Sequence, residues 1–363
     1  MIFQWQLFVL VGIVGIFVYI NRMYTVVISN GKKEYRYMLL PTLFIAFPLI
    51  YLAATRNDNI GDTYAYRQAF INMPSTFNEV FGYITENMKD KGFVVFSILI
   101  KSVIGNRDVL YFAIIATICI LCVVLTYKKY SCSFILSVFL FIASGDYIQW
   151  TFNGMRQFIA ASILFASTGL MLKKKYIPVI FFILILSTIH ASALVMLPII
   201  FIVQGPAWNK KTVGLLIVVL LGITFIDQFT DLLTNIMENT QYSSEVEQFL
   251  STEGTSILRV IVYSIPAIIA LIFNKRIRVE SNPVIDMCVG MSIVTMGVYL
   301  ISAFTSGIFI GRIPIYFSLY NYMLLPWEIK TIFERKSASC LNVIMIICYL
   351  IFYYYQVEIT WKL

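Results

Sequence analysis

Runs of about 17–25 mostly apolar residues recur along this 363-residue chain, with short polar connections between them. Each run must be helical if it lies in lipid, because a bilayer contains no water to bond free backbone N–H and C=O groups. Of all residues, 60% are hydrophobic and only 13% are charged. This composition excludes a soluble globular protein and predicts an all-α polytopic membrane protein.

The apolar runs predict about twelve transmembrane helices in a single membrane domain that covers residues 1–363. No basic leader and no small-residue cleavage site accompany the first run, so we expect a retained span rather than a signal peptide. The expected spans are 3–20, 37–54, 108–126, 131–145, 156–172, 176–189, 191–204, 212–226, 257–273, 284–304, 313–327 and 340–355.

Basic clusters in alternate connections predict the orientation of these helices. The positive-inside rule places clusters such as 173–175 in the cytoplasm, and both termini then lie outside it. The net charge of +8 is explained by these clusters, so we expect no nucleic-acid partner. Two longer connections are expected outside: residues 55–107, which include an apolar segment at 93–104 that suits an interfacial helix, and the acidic loop 227–256.

Residues 176–204 form an apolar stretch that contains His190, the only histidine of the chain. The stretch is either one long helix or two short spans that reverse direction at His190. One long helix would move every later connection to the other side and leave basic residues between Lys210 and Lys336 outside. We therefore predict a hairpin whose outer turn carries His190.

A dense polar stretch follows the second expected span. It contains two arginines, Arg56 and Arg67, two carboxylates, Asp58 and Asp62, and also Tyr64. The stretch is either a solvated loop with local ion pairs or a sugar-binding element, and a carboxylate in it is a general base if its pKa suits. Composition alone leaves both interpretations open.

Two arginines stand at expected helix starts on the outer side. Arg156 follows Asn153 and Gly154, and Arg312 lies just before Pro314, a residue that suits the first turn of a helix. Each arginine is either a snorkelling anchor or, together with free helix N–H groups, part of a phosphate site. As a pair they predict a site for a diphosphate.

Ionisable groups at the membrane are costly and usually functional, which favours a role for His190 as a base or hydrogen-bond partner. A single histidine without an external cysteine or a dense set of carboxylates is a poor basis for a zinc site. We expect no metal and no other cofactor.

Four short motifs follow one another in a distinctive order. They are Gly-Asp-Thr-Tyr-Ala-Tyr from Gly61, Asn-x-x-Arg-Gln-x-x-Ala from Asn153, His-Ala-Ser-Ala-Leu from His190 and Arg-x-x-x-Tyr-Phe from Arg312. This order resembles the EpsG family, which comprises Wzy-type polymerases of O-antigen or capsular polysaccharide. The resemblance extends over most of the chain. Ala191 departs from the pattern, which would have a second serine there.

The resemblance implies a GT-C-like arrangement and a metal-independent glycosyltransferase that makes lipopolysaccharide, capsule or exopolysaccharide. Such a polymerase joins undecaprenyl diphosphate-linked oligosaccharide repeats at the periplasmic face of the bacterial inner membrane. The implied partners are the lipid-linked donor and acceptor, the lipid bilayer and a chain-length regulator.

Roles for individual residues follow from that implied reaction. We expect Arg156 and Arg312 to hold the diphosphate, and His190 or Asp62 to accept the proton of the acceptor hydroxyl. Residues for sugar contacts or of second rank are Tyr64, Arg56, Arg67, Asp58 and Tyr316.

Two other functions use similar residues. A flippase or transporter of lipid-linked oligosaccharides would need ionisable groups spread through the bilayer depth, whereas here they collect on one face. A membrane O-acyltransferase also uses histidine and arginine, but it would draw its acyl donor from the cytoplasm, where no histidine is expected. The crowding on one face favours the polymerase.

Overall fold

The computed structural model describes residues 2–29, 32–86, 88–238, 240, 243, 246 and 253–361. Helices dominate this part of the chain, as expected. One antiparallel hairpin was not foreseen: strand β1 (Tyr24–Ser29) pairs with β2 (Lys32–Tyr37). The β-branched run at 25–28 favours a strand, and it follows directly on the first helix.

The helices of the first half of the chain lie close to the expected apolar runs. They are α1 (Ile2–Ile20), α2 (Leu39–Ala54), α3 (Thr63–Asn72), α4 (Val80–Tyr83), α5 (Lys91–Ile104), α6 (Asp108–Tyr130), α7 (Phe134–Ala143), α8 (Asp146–Ile148), α9 (Met155–Ala166) and α10 (Thr168–Leu172). A 3₁₀ turn at Phe77–Glu79 precedes α4, and a π-helical turn at Gln149–Asn153 joins α8 to α9.

The second half continues the pattern with shorter pieces beside long spans. Its helices are α11 (Tyr176–Ile189), α12 (Met196–Ile202), α13 (Lys210–Thr224), α14 (Ile226–Glu238), α15 (Ile257–Ile272), α16 (Asn274–Glu280), α17 (Pro283–Phe304), α18 (Ile315–Ser318), α19 (Asn321–Ile332) and α20 (Arg335–Tyr354). Shorter turns are the 3₁₀ segments Ala191–Val195 and Ile310–Arg312 and the π-helical turn Tyr355–Thr360. Residues 239, 241–242, 244–245 and 247–252 of the acidic loop lie outside the described residues.

Several described helices are long and apolar enough to cross a bilayer. By length and composition three qualify alone, namely α6, α17 and the helix Arg335–Thr360, and up to six qualify if each sharply bent pair counts as one span. Five further apolar helices are shorter, including α2 and α9. The chain is therefore an all-α membrane protein, and the count of twelve spans stays a prediction.

The chain reverses direction at His190. Helix α11 ends at Ile189, and His190 adopts extended backbone angles. The ring of Tyr176, at the start of α11, then lies 4.8 Å from that of Phe201 at the end of α12. Further on, Gln204 donates a 3.2 Å hydrogen bond to the carbonyl of Met171. The expected hairpin with His190 at its turn is present.

The seventh helix does not end in a loop as the expected span 131–145 did. After Gly145, whose φ is +81°, the chain bends by 70° and stays helical through Asn153. Asp146, at the bend, is fully buried and accepts hydrogen bonds from Trp150, Tyr263, Ser318 and Tyr322. Because four donors satisfy this carboxylate, its charge can be buried where an isolated one could not.

Helix α5 is the apolar segment that was expected at the membrane interface. Lys101 lies inside it and is 1% exposed, and its ammonium group donates to the carbonyls of Phe70, Ile71 and Met73 at the end of α3. The lysine thereby satisfies carbonyls that a helix C-terminus leaves free. Its position in the sequence is explained by this contact, and α5 is fixed against α3.

Candidate functional site at the Asp62, Arg156, His190 and Arg312 cluster

Four residues that the sequence analysis singled out come together in space. The positive charges of Arg156 and Arg312 both act on Asp62, and both also act on His190. Helix α9 is tied to the turn that carries Arg312, since the Gln157 side chain donates a 3.0 Å hydrogen bond to the Arg312 carbonyl. We call Asp62, Arg156, His190 and Arg312 the site cluster.

Asp62 immediately precedes α3 and lies at the surface, with its carboxyl group partly surrounded by protein. Gly61 before it has a φ of +56°, and a Cβ there would meet the carbonyl oxygen of Phe152 at 3.0 Å, so only glycine allows this approach. With its amide nitrogen turned toward the carboxylate, Asn153 donates to both oxygens of Asp62 at 3.0 Å. The loop and the π-helical turn thus orient the carboxylate together.

The environment of Asp62 shifts its acidity. Partial burial raises the pKa of this carboxyl group, and the charges of Arg312 and Arg156 lower it, with a net increase over its ordinary value. A carboxylate with a raised pKa is a better proton acceptor than an ordinary one. Asp62 therefore binds a proton more readily than an ordinary surface carboxylate.

His190 lies at the turn between α11 and the following 3₁₀ segment. Its Nδ1 is buried and has no hydrogen-bond partner among the described residues. Burial, together with the charges of Arg156 and Arg312, lowers the pKa of His190 to about 3. The imidazole is consequently neutral near pH 7, and it suits hydrogen bonding to a substrate better than proton abstraction.

Arg156 lies in the first turn of α9 with its side chain 38% exposed. One of its guanidinium nitrogens is 2.7 Å from a carboxylate oxygen of Asp90, whose side chain is only 5% exposed. Asp90 precedes α5 and adopts a left-handed backbone conformation. The ion pair joins the start of α9 to the start of α5, and the Arg156 side chain stays partly exposed.

Arg312 ends the short 3₁₀ turn Ile310–Arg312 and is half-buried. No carboxylate pairs with its side chain within the described part of the chain. A cation that is partly removed from water without a paired anion is an attractive site for a negatively charged ligand. Arg312 therefore has the clearest electrostatic character of an anion-binding group in the cluster.

The two tyrosines of the sequence analysis have different surroundings. Tyr316 is buried, and its hydroxyl lies 3.0 Å from that of Ser192, two residues beyond His190. Tyr64, on α3, is 59% exposed. Tyr316 thus fixes the turn that carries His190, whereas Tyr64 is available at the surface near Asp62.

The remaining residues of the polar stretch form a separate internal group. Arg67 makes ion pairs with Asp58 and, at 2.7 Å, with Asp108 at the start of α6. Arg56 is 3% exposed and donates to the carbonyls of Ala53 and Thr151 at 2.6 and 2.8 Å. We call Arg56, Asp58, Arg67 and Asp108 the anchor cluster, because it joins the loop to α6 and to the π-helical turn.

Sequence reasoning missed two carboxylates that support the site. Asp90 directs Arg156, and Asp146 holds the bent helix whose π-helical turn carries Asn153. Asp146 falls between the expected spans 131–145 and 156–172, and its partners Tyr263 and Tyr322 are far away in the sequence. Among the described residues no group of three or more His, Cys, Asp or Glu side chains could hold a metal ion.

The model of the EpsG family matches residues 39–359, which is most of the chain and includes the whole site cluster. No curated protein and no solved structure matches this chain.

Proposed function

This chain belongs to the EpsG family, and from that premise we propose that it is a polysaccharide polymerase of the glycosyltransferase class. Its substrates are undecaprenyl diphosphate-linked oligosaccharide repeats, and it acts at the outer face of the bacterial inner membrane. The observation that carries this proposal is that the start of α9, which holds Arg156, is tied to Asp62 through Asn153 and to Arg312 through Gln157.

The charges of the site cluster suit transfer from a diphosphate. When the bond between the donor sugar's anomeric carbon and the diphosphate breaks, the electron pair stays with the lipid diphosphate. Arg312 and the exposed part of Arg156 stabilise the charge that develops there, because preorganised donors act strongly where water is excluded. The diphosphate itself is the leaving group, so these two arginines act on the bond that breaks.

Asp62 then completes the step at the acceptor. A hydroxyl of the incoming repeat attacks the anomeric carbon, the new glycosidic bond forms, and the hydroxyl proton passes to the Asp62 carboxylate. The raised pKa of Asp62 and the lowered pKa of His190 both favour this assignment over a histidine base. Neutral His190 donates or accepts a hydrogen bond that positions a substrate oxygen.

The proposed topology has twelve spans and places the site cluster on the periplasmic side. It is supported by the positive-inside pattern of the basic clusters and by the reversal at His190, which keeps those clusters on one side. A GT-C-like arrangement and a chain-length regulator as partner belong to the same proposal, on the basis of the family.

A polymerisation assay in detergent tests the proposal. Purified protein is incubated with a short-chain polyprenyl diphosphate oligosaccharide, without nucleotide, and the products are separated by size. We expect a ladder of lengthening chains from the wild type and from Arg276→Ala, a matched arginine variant outside both clusters, but not from Arg312→Ala. If no ladder forms while labelled lipid-linked sugar crosses a proteoliposome bilayer, the protein is a flippase instead.

A further inference from the structure

A polar cavity of about 310 Å³ lies beside the site cluster and takes no part in the chemistry described so far. Its wall includes Asn59, Gly61, Gln149, Phe152, Asn153 and Trp361. Gly61 directly precedes Asp62, and Asn153 is the residue that donates to the Asp62 carboxylate. The cavity therefore borders the proposed base through two residues of its own wall.

The lining restricts what kind of molecule the cavity can bind. No residue of the wall is ionisable, and the Arg259 guanidinium next to it donates to Gln149, so a phosphate would find no counter-charge in the wall itself. Three amide side chains, those of Asn59, Gln149 and Asn153, supply both hydrogen-bond donors and acceptors, as a polyhydroxylated ligand requires. A lipid chain is disfavoured, because an apolar chain would leave these amides without hydrogen-bond partners.

Two aromatic side chains complete the wall, and both are held in place. Phe152 is 2% exposed, and the guanidinium of Arg56 lies over its ring, 4.9 Å from the ring centre. Trp361 lies against the bend of the seventh helix, where a Cβ on Gly145 would meet its ring at 3.0 Å. Trp361 is partly exposed, so its ring can meet the apolar face of a sugar while the amides meet the hydroxyl groups, and the buried Phe152 closes the wall behind them.

Gln149 shows how one of the amides is oriented. Its side-chain oxygen accepts a hydrogen bond from Arg259, in the first turn of α15. That contact leaves the amide nitrogen of Gln149 as a donor without a partner among the described residues. A preformed donor in a cavity of this size is typical of small-molecule sites, which are largely built before the ligand arrives.

We infer that this cavity is a binding site for an uncharged sugar ring, the terminal sugar of the acceptor repeat. The acceptor role rests on the polymerase function proposed above, whereas the sugar-binding chemistry does not. The arginines would hold the donor diphosphate, and the neutral cavity would hold the acceptor sugar beside Asp62. This division places the attacking hydroxyl next to the base.

A binding experiment separates this inference from the polymerase proposal. The full chain in detergent is titrated with methyl glycosides of glucose, galactose and N-acetylglucosamine, and binding is followed by saturation-transfer NMR. We expect at least one glycoside to bind the wild type, and about three- to tenfold weaker binding by Trp361→Ala, with recovery in Trp361→Phe. Gln149→Ala should weaken binding as well.

Two controls make the result specific. Tyr354→Ala removes a 52% exposed aromatic side chain from α20 outside the cavity and should bind the glycoside like the wild type. Inorganic pyrophosphate should bind Trp361→Ala as tightly as the wild type, which shows that the variant is folded and its arginine site intact. Unchanged glycoside affinity in both cavity variants, or no glycoside binding by the wild type, would overturn the inference.

The polymerase proposal can fail independently. Glycoside binding that depends on Trp361, in a protein that forms no ladder from lipid-linked repeats, would keep the sugar site and reject the polymerase. In an active polymerase, Trp361→Ala should raise the KM for the acceptor more than the KM for the donor. An equal rise in both would contradict the acceptor assignment.

Discussion

The anchor cluster and the site cluster each contain two arginines, and both include residues of the same loop, but they differ in what neutralises the charge. In the anchor cluster, Arg67 has two carboxylate partners and Arg56 donates to two backbone carbonyls. In the site cluster, Arg312 has no carboxylate partner among the described residues, and Arg156 is paired on one side and 38% exposed. The two clusters thus differ in carboxylate pairing, since Arg67 has two carboxylate partners, Arg156 pairs with Asp90, and Arg312 has none among the described residues.

The largest effect on activity is expected from Asp62→Asn. Without a proton acceptor the rate of chain extension should fall by about 10²- to 10⁴-fold, the usual contribution of a positioned general base. Wild-type activity should decline as the pH falls and Asp62 becomes protonated. Because the pKa of Asp62 is raised, this decline should occur at a higher pH than the ordinary carboxyl pKa of about 4. Initial rates measured across the pH range check both statements.

Glu provides the control for that change. Asp62→Glu keeps a carboxylate and should retain measurable activity together with an acid limb in its pH profile. An Asp62→Asn variant as active as the wild type would remove Asp62 from the mechanism.

The next effect is expected from Arg312→Ala and Arg156→Ala. Each should lower chain extension by about 10²- to 10³-fold, because a charge that develops on the diphosphate loses a preorganised donor. Arg312→Lys should recover part of the rate, because lysine keeps the positive charge but lacks the bidentate N–H donors of arginine. Rates at saturating substrate and thermal unfolding of each variant are the measurements. Thermal stability close to wild type would separate this loss from misfolding.

A smaller effect is expected from His190→Gln. Glutamine keeps hydrogen-bonding capacity, and a histidine whose pKa is about 3 carries no charge between about pH 5 and 8. Activity should fall about tenfold or less, and the acid limb of the pH profile should stay where it is in the wild type. Loss of that limb in His190→Gln would identify the histidine as the titrating base.

The smallest effect on activity is expected in the anchor cluster. Arg67→Ala leaves Asp58 and Asp108 without their partner and should lower the free energy of unfolding by about 1–3 kcal/mol. The rate per folded molecule should stay within about threefold of wild type. Thermal unfolding and the rate at equal folded concentration are measured together, and the double variant with Asp108→Ala shows whether the two losses are coupled.

Helix positions were largely predictable, because a long apolar run indicates a helix that is buried in lipid or in the protein. The hairpin at His190 was also predicted from the sequence, because the alternative of one long helix would leave the later basic residues on the outer side. The strands at 24–37 were missed because a basic connection was judged by charge alone. Asp146 was missed because the hydroxyl groups that donate to it, those of Tyr263, Ser318 and Tyr322, lie far from it in the sequence.

The site itself was partly predictable. Arg156, Arg312 and His190 were chosen for their placement at span ends and Asp62 for its polar stretch, and the structure links Asp62 to the start of α9 and α9 to Arg312. Arg67 differs from Arg312 because it pairs with Asp108, a residue that is distant in the sequence. Charge composition does not show which charged residues meet in the fold. The cavity beside Asp62 likewise combines residues from 59 to 361.

One measurement tests the central distinction most directly. Arg312→Ala and Arg67→Ala are compared at equal folded concentration in the polymerisation assay with a polyprenyl diphosphate-linked repeat. We expect Arg67→Ala to extend chains at close to the wild-type rate, whereas Arg312→Ala should form almost no ladder. Equal loss in both variants, or full activity in Arg312→Ala, would contradict it.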